Sequence, residues 1–386
     1  MAKVELINVG HQYSPGSEYA VKDINLTWED GVASALLGPS GCGKTTLLKI
    51  ISGLLQPSEG KILLDGKDVT ADPPQLRNVA QVFQFPVVYE TLSVFDNLAF
   101  PLRNRGVARA RVRERVHEVA ELLDLQPLLK ARASRLGPAE KQRISLGRGI
   151  VRDDTTAVLL DEPLTVIDLH MKWHLRRKLK EMHQRLGLTM IYVTHDQHEA
   201  LTFADQVTVM NMGEALQTGN PQALHDQPLA PFVGYFIGSP GMNIFDAQLC
   251  EAGVVIGEHL LLWPDLQQAQ LSGKRLQLGI RPEYVQLQRH KPEASSPEAA
   301  QGDWLEAEVT TLTLNGSAMV VDVYSRGLHY KALVEENSSL RVGDRLWSLF
   351  PAASLMLYAD GRAVLSSAQR ASAHSQPTAA AAEEIA

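Results

Sequence analysis

Residues 38–46 read GPSGCGKTT and contain the spacing Gly-x4-Gly-Lys-Thr, which ends at Lys44 and Thr45. Glycine lets consecutive backbone N–H groups converge on one anion without a clash of Cβ atoms. The lysine would place a positive charge between the outer phosphates of a nucleotide, and the threonine hydroxyl would bind Mg²⁺. The spacing therefore predicts a phosphate-binding loop whose nucleotide contacts are Gly38, Pro39, Ser40, Gly41, Cys42, Gly43, Lys44, Thr45 and Thr46.

Two acidic residues follow an apolar run further along the chain. Residues 157–160 read AVLL, predict a buried strand, and are followed by Asp161 and Glu162. At the carboxyl edge of a parallel sheet, Asp161 can hold Mg²⁺ through its water shell, and Glu162 can polarise the water that attacks a γ-phosphate. Another apolar run ends at His195, whose ring can contact phosphate. We expect Lys44, Glu162 and His195 to be catalytic; the alternatives are a helix N-cap for the acidic pair and a structural histidine.

Two further residues are weaker candidates. Gln84 follows the apolar pair Val82 and Phe83, and its amide could reach the metal ion or a metal-bound water. Together with Thr45 and Asp161 it completes the predicted metal set. Tyr13 precedes the loop on a hairpin-like segment and could stack on a purine. Taken alone, each of the two could equally be an ordinary structural residue.

These motifs need a strand before the loop and a helix after it. Residues 32–37 predict a buried strand, and residues 47–51 predict a helix whose positive N-terminus faces the phosphates. Across residues 1–237, strand and helical patterns alternate, as is typical of a largely parallel α/β sheet, with a helical insertion at about 85–155. Within residues 108–125 apolar residues recur at helical spacing. The charged residues between them predict a solvated helix face: Arg109, Arg111, Arg113, Glu114 and Arg115.

The composition changes after Pro240, where short alternating strands are separated by turn residues. Asn315-Gly316 between two of these strands is a strong signal for a tight hairpin. We therefore expect a small all-β, barrel-like domain over residues 238–367. The Ala-rich residues 368–386 have no core-forming pattern and are expected to be disordered.

Composition and charge exclude several classes of protein. The net charge of −7 argues against a nucleic-acid partner bound by bulk electrostatics. The two cysteines, Cys42 and Cys250, provide no disulfide framework and favour a reducing compartment. No secretory signal is evident at the N-terminus, and residues 227–245, the longest uncharged stretch, are interrupted by prolines. We expect the protein to act at a membrane only through a partner.

The order Tyr13, phosphate loop, Gln84, helical insertion, Asp161-Glu162, Asp168 and His195 resembles that of ATP-binding-cassette ATPases. Residues 238–245 (GSPGMNIF) and 279–283 (GIRPE) are similar to segments in the barrel extension of the carbohydrate-import branch. The resemblance implies an α/β P-loop cassette followed by a β-barrel-like regulatory domain. It also implies that Tyr13 stacks on adenine, Gln84 senses the nucleotide and His195 contacts the γ-phosphate.

The same resemblance implies a peripheral ATPase on the cytoplasmic face of the inner membrane. It would use ATP and Mg²⁺ to drive import of a sugar, polyol or glycerol-type solute through separate permease subunits, fed by a solute-binding protein. Residues 85–95 would form an apolar groove that receives a short permease helix, the alternative being ordinary core packing. Two other functions stay open: an oxyanion or polyamine importer, and a regulatory nucleotide-binding subunit with little turnover.

One family motif departs from its usual form. Cassette ATPases present a Leu-Ser-Gly-Gly-Gln signature to the ATP of a second subunit, whereas residues 136–140 here read LGPAE. Gly137 lacks the hydroxyl, Pro138 lacks a backbone N–H, and Glu140 replaces a neutral amide by a carboxylate. A like charge about 6 Å from the phosphates costs roughly 3 kcal/mol at an effective dielectric of about 20. We therefore expect a second, non-identical cassette ATPase as partner, with a homodimer as the alternative.

Overall fold

The computed structural model describes residues 2–250, 253–262, 271, 273–292, 304–336 and 338–364. The chain divides into two compact units that meet in sequence between Pro221 and Gln222. The tail predicted at residues 368–386 lies outside the described residues. Each unit has its own hydrophobic core, and we describe them separately.

The first unit is built from strands and helices in alternation. Its strands are β1 Val4–His11, β2 Val21–Trp28, β3 Ala33–Leu37, β4 Glu59–Leu64, β5 Lys67–Asp68, β6 Ala80–Val82, β7 Val158–Asp161, β8 Met190–Thr194, β9 Gln206–Asn211 and β10 Glu214–Gly219. Its helices are α1 Lys44–Ser52, α2 Pro74–Arg77, α3 Val94–Asn104, α4 Arg109–Leu122, α5 Pro138–Ile150, α6 Leu169–Leu186 and α7 Gln197–Phe203.

A six-stranded sheet with the order β10-β9-β3-β8-β7-β6 forms the centre of this unit. The five strands from β9 to β6 are parallel, and β10 pairs with β9 in the antiparallel sense. Every residue of β3, β7 and β8 is buried. Strands that are covered on both faces consist of nearly continuous apolar residues, which is why these three strands can be predicted from the sequence. The predicted parallel α/β sheet is confirmed.

A second, antiparallel sheet has the order β2-β1-β4-β5. Its inward side chains, including Trp28, form one core with those of α1, such as Leu47 and Ile51. This core attaches the helix that follows the phosphate loop to two sheets at once. The loop is therefore held between a central strand and a well-packed helix.

Helices α3, α4 and α5 pack on one another within the predicted helical insertion. The expectation of a solvated charged face on α4 is wrong for one residue, because Arg115 is only 5% exposed. Its guanidinium donates hydrogen bonds to the carbonyls of Ile150 and Val151, each at 3.1 Å. The C-terminal carbonyls of α5 have no partner within their own helix, and a buried arginine satisfies them. The other four charged residues of the set are exposed, as expected.

The second unit is largely β-structure. Its helices are α8 Pro221–Asp226, which begins at the division, and α9 Pro231–Phe236. Its strands are β11 Asn243–Cys250, β12 Gly253–Ile256, β13 His259–Leu262, β14 Leu276–Ile280, β15 Gln286–Gln288, β16 Leu305–Asn315, β17 Ala318–Ser325, β18 Leu328–Glu335, β19 Arg345–Leu349, β20 Met356–Ala359 and β21 Arg362–Ala363.

Two antiparallel sheets, β13-β12-β11-β14-β20-β21 and β15-β19-β16-β17-β18, enclose a shared core. Phe245, Tyr330 and Phe350 contact one another within it. Strands β16 and β17 pair from Asn315 opposite Ala318, which confirms the predicted hairpin; Gly316 has a φ of +64° in its turn.

The division between the units precedes the boundary that we predicted after residue 237. Helix α9 packs against β11 and β14 of the β-unit. The buried Arg281 donates hydrogen bonds to the carbonyls of His225 and Ile237, both at 2.7 Å. These contacts attach residues 222–237 to the β-unit, although the sequence pattern alone groups them with the preceding strands and helices.

Candidate functional site

The phosphate-binding loop leaves strand β3 and enters helix α1. A Cβ atom on Gly38 would lie 2.3 Å from the carbonyl oxygen of Met210 on β9, so only glycine fits there. Gly43 has a φ of +101° and forms the N-cap of α1. The free N–H groups at the helix start therefore open onto the loop, where an anion would meet the positive end of the helix dipole.

Lys44 is the first residue of α1, and its side chain is folded into the loop. Its ammonium group donates hydrogen bonds to the carbonyls of Gly38 and Pro39, each at 2.8 Å. The loop thus closes around the lysine, whose side chain is buried. This geometry puts a positive charge at the centre of the backbone curve, as an anion site requires.

Thr45 and Asp161 lie close together beside the loop. The threonine hydroxyl donates to Oδ1 of Asp161 at 3.2 Å. Burial raises the pKa of the Asp161 carboxyl, the Thr45 hydroxyl opposes this, and the neighbouring charge of Glu162 raises it further. Two hard oxygen ligands, one of them on a buried carboxylate, suit Mg²⁺. No hydrogen bond joins Gln84, the third predicted ligand, to either residue in the described structure.

Glu162 follows Asp161 and has an unusual backbone. Its φ is +44°, and its N–H donates to the carbonyl of Val193 on the adjacent strand β8 at 2.9 Å. The side-chain oxygen Oε1 accepts a hydrogen bond from Nδ1 of His195 at 3.1 Å. Oε2 accepts one from the hydroxyl of Thr165 at 3.2 Å. Two predicted catalytic residues, 33 positions apart in sequence, are therefore in direct contact.

The parallel register brings the remaining candidates to the same sheet edge. Leu37 is opposite Thr194, Asp161 opposite Val193, and Val82 opposite Leu160. The loop, the acidic pair and His195 thus all follow the carboxyl ends of neighbouring strands. Gln84, two residues beyond Val82, leaves β6 at this edge too. Parallel α/β sheets bind ligands at this edge.

Tyr13 is 63% exposed, which leaves its ring accessible to a purine. Its hydroxyl shares a hydrogen bond of 2.9 Å with the hydroxyl of Thr46, which ties it to the start of α1. The ring of His11 contacts it edge-on, with ring centroids 5.0 Å apart. Sequence reasoning missed both His11 and Thr165. The only signal for Thr165 was its spacing of three residues from Glu162, which is that of a tight turn.

The segment that departs from the family signature begins helix α5. Gly137 is the N-cap and Pro138 the first helical residue, where proline is well tolerated. Glu140 accepts a hydrogen bond from Arg143 at 3.4 Å. Its Oε2 would lie 2.8 Å from a Cβ on Gly137, so the carboxylate covers the first turn of α5. The charge therefore has an arginine and a helix N-terminus beside it, and the repulsion we expected is partly offset.

The segment of residues 85–95 exposes apolar side chains. Phe85, Val87 and Tyr89 are all exposed, with Phe85 at 68%. The guanidinium of Arg148 lies 4.5 Å from the ring centroid of Tyr89 and attaches the segment to α5. These three side chains are therefore not core residues, and the groove for a permease helix stays a prediction. Among the described residues, no helix combines the length and the apolar composition that a membrane crossing needs.

Both units of the chain are similar to known proteins. The family described as ABC transporter matches residues 21–165, and the family described as MalK OB fold domain matches residues 238–285. The sn-glycerol-3-phosphate import ATP-binding protein UgpC of Pectobacterium atrosepticum is 36% identical over 360 residues, which cover 93% of this chain and 98% of that protein. The chain belongs to the ABC transporter family. This ABC transporter protein is an ATPase whose hydrolysis of ATP is coupled to transport, and the predicted fold class is confirmed.

Other ABC transporter proteins show the same likeness. The trehalose/maltose import ATP-binding protein MalK of Thermococcus litoralis is 44% identical over 296 residues, covering 73% of this chain and 78% of that protein. The solved structure of cbiO1 from Clostridium perfringens is 28% identical, with a TM-score of 0.54. The match covers 57% of this chain and 89% of the cbiO1 chain. The solved structure of a dimeric bacterial ABC transporter cassette is 26% identical, with a TM-score of 0.51. The match covers 56% of this chain and 98% of the cassette chain.

Proposed function

We propose that this ATPase energises the import of a sugar, polyol or glycerol-type solute. The observation that carries the proposal is the likeness to a glycerol-3-phosphate import protein across both units of the chain. A relative named for trehalose and maltose import is similar over nearly three quarters of the chain. The solutes in these two names are small molecules that carry several hydroxyl groups, which is the solute class we propose.

The protein would work from the cytoplasmic face of the inner membrane, bound peripherally to permease subunits that receive solute from a solute-binding protein. The exposed side chains of Phe85, Val87 and Tyr89 would provide the apolar anchor for the permease. Their attachment to α5 through Arg148 would let movement of the permease reach the nucleotide site.

In the proposed reaction, the phosphate loop binds the ATP phosphates and Lys44 stabilises charge on the γ-phosphate. Tyr13 stacks on adenine. A water molecule attacks the γ-phosphorus, the bond from that phosphorus to the oxygen of ADP breaks, and Glu162 accepts the proton of the water. His195 orients Glu162 by its hydrogen bond and lies where it can contact the γ-phosphate. Thr45, Asp161 and Gln84 would hold Mg²⁺, which neutralises phosphate charge when it is bound.

We further propose that two copies of this chain pair across ATP. The non-identical partner that we expected from residues 136–140 has no support among the relatives. Part of its physical basis was the carboxylate at position 140, and Arg143 offsets part of that charge. A similar cassette is itself dimeric, which favours a dimer of cassettes over a monomer.

Solute uptake tests the proposal. In a strain that lacks the gene, the wild-type chain should restore uptake of labelled glycerol 3-phosphate, trehalose or maltose. The variant Lys44→Ala should not, because the loop loses its central charge. Lys61→Ala is the matched control, since Lys61 is an exposed lysine on β4 and should leave uptake intact. Restored uptake of an oxyanion or a polyamine instead, or uptake that survives Lys44→Ala, would refute the proposed function.

A further inference from the structure

The carboxylate of Glu162 is held on both of its oxygens. His195 donates to Oε1 at 3.1 Å, and Thr165 donates to Oε2 at 3.2 Å. Each donor leaves one lone pair free on its oxygen, so the carboxylate can still accept a proton from water. The terminal torsion of a glutamate side chain is broad, and two donors on different oxygens restrict it to one plane.

Thr165 is itself held by the turn that connects β7 to α6. Its N–H donates to the carbonyl of Glu162 at 3.2 Å. The turn ends at Asp168, whose side chain caps α6 by accepting from the N–H of Met171 at 3.0 Å. At the other end, the backbone of Glu162 is bonded to Val193 on strand β8. The donor and the acceptor of the Thr165–Glu162 bond thus sit on one short, anchored piece of backbone.

We infer that Thr165 is a positioning residue for ATP hydrolysis, whose hydroxyl holds the Glu162 carboxylate in the orientation that accepts the proton of the attacking water. Thr165 acts through Glu162, so the inference rests on the role proposed for that residue. His195 alone would leave the carboxylate free to rotate about its hydrogen-bonded oxygen. The second donor removes this freedom before ATP binds, which is preorganisation of a catalytic group.

Three variants of the full-length chain test the inference by steady-state ATP hydrolysis. Thr165→Val keeps the shape of the side chain but removes the hydroxyl, and we expect a kcat roughly three- to tenfold lower with the KM for ATP unchanged within about twofold. The loss is modest because Thr165 is exposed and water can replace part of the bond. Thr165→Ser should recover most of the rate. Thr202→Val is the matched control, because it removes an exposed hydroxyl that bonds a backbone carbonyl of α7.

A double-mutant cycle separates positioning from a structural role. In the Glu162→Gln background, measured under single-turnover conditions with excess protein, Thr165→Val should cause no further loss. An equal loss in both backgrounds, a wild-type kcat in Thr165→Val, or failure of Thr165→Ser to recover the rate would each overturn the inference. Near-normal turnover by Glu162→Gln alone would instead overturn the proposed role of Glu162.

Discussion

Replacing Gly38 by alanine tests whether close packing of the backbone holds the phosphate loop in place. Gly38 has no positive φ, so alanine meets no backbone strain there and the cost is steric. The new Cβ would lie 2.3 Å from the carbonyl oxygen of Met210 and 2.7 Å from Sγ of Cys42. Met210 belongs to β9, which is paired with β3 in the central sheet, so the carbonyl cannot move alone.

Overpacking of a rigid site costs about 1–3 kcal/mol, and we expect the upper part of this range, about 2–3 kcal/mol, because the clash is with backbone. For a unit of this size each kcal/mol lowers the melting temperature by about 2–4 °C. The variant should therefore melt roughly 4–12 °C below the wild type. The displaced loop should also bind ATP poorly, because the carbonyl of Gly38 holds the Lys44 ammonium.

Thermal unfolding with and without ATP measures both effects. At an ATP concentration of 100 Kd, the wild type should gain about 2.7 kcal/mol of stability, and Gly38→Ala should gain little. Gly66→Ala is the matched control: its φ is +74° and no atom lies within 4 Å of the new Cβ. It should cost only the backbone strain, about 1 kcal/mol, and keep the full ATP response. A Gly38→Ala variant that melts within about 2 °C of the wild type and responds normally to ATP would refute the packing argument.

Three further predictions concern catalysis, pairing and stability. Glu162→Gln should lower ATP turnover by several orders of magnitude yet still bind ATP in equilibrium dialysis, because it removes a proton acceptor and no phosphate contact. Lys44→Ala should lose both turnover and ATP binding, whereas normal turnover by Glu162→Gln would contradict the role assigned to Glu162. Restoring Ser-Gly-Gly-Gln at residues 137–140 should raise the ATP turnover of the isolated protein about tenfold, which corresponds to an activation barrier lower by about 1.4 kcal/mol, because both sites of a homodimer would gain a hydroxyl. An unchanged rate would argue against the homodimer. Arg115→Met should lower the free energy of unfolding in urea by about 2–3 kcal/mol, because the carbonyls that end α5 lose their donor, whereas the exposed Arg113→Met should change it by about 0.5 kcal/mol or less. Equal effects of the two arginine variants would show that the buried contacts of Arg115 contribute nothing to the free energy of unfolding.

The amino-acid sequence by itself determined the local parts of the site. The glycines and the lysine of residues 38–46 specify a loop that few other residues could form, since the backbone must curve around an anion. The buried strands β3, β7 and β8 were readable because strands covered on both faces are apolar throughout. Residues that follow such strands collect at one sheet edge, which is why Asp161 and His195 could be chosen in advance. The hairpin at Asn315-Gly316 was readable because its turn depends on two adjacent residues alone.

Only the tertiary structure decided what the charged and polar side chains contact. Helical spacing predicted a solvated Arg115, but the residue is buried because the carbonyls that end a different helix need a donor. The pairing of Glu162 with His195 depends on the register of β7 against β8, and no local pattern encodes a register between strands so far apart in sequence. Backbone preferences act over a few residues and can be read from them, whereas the partner of a polar side chain is chosen by the whole fold.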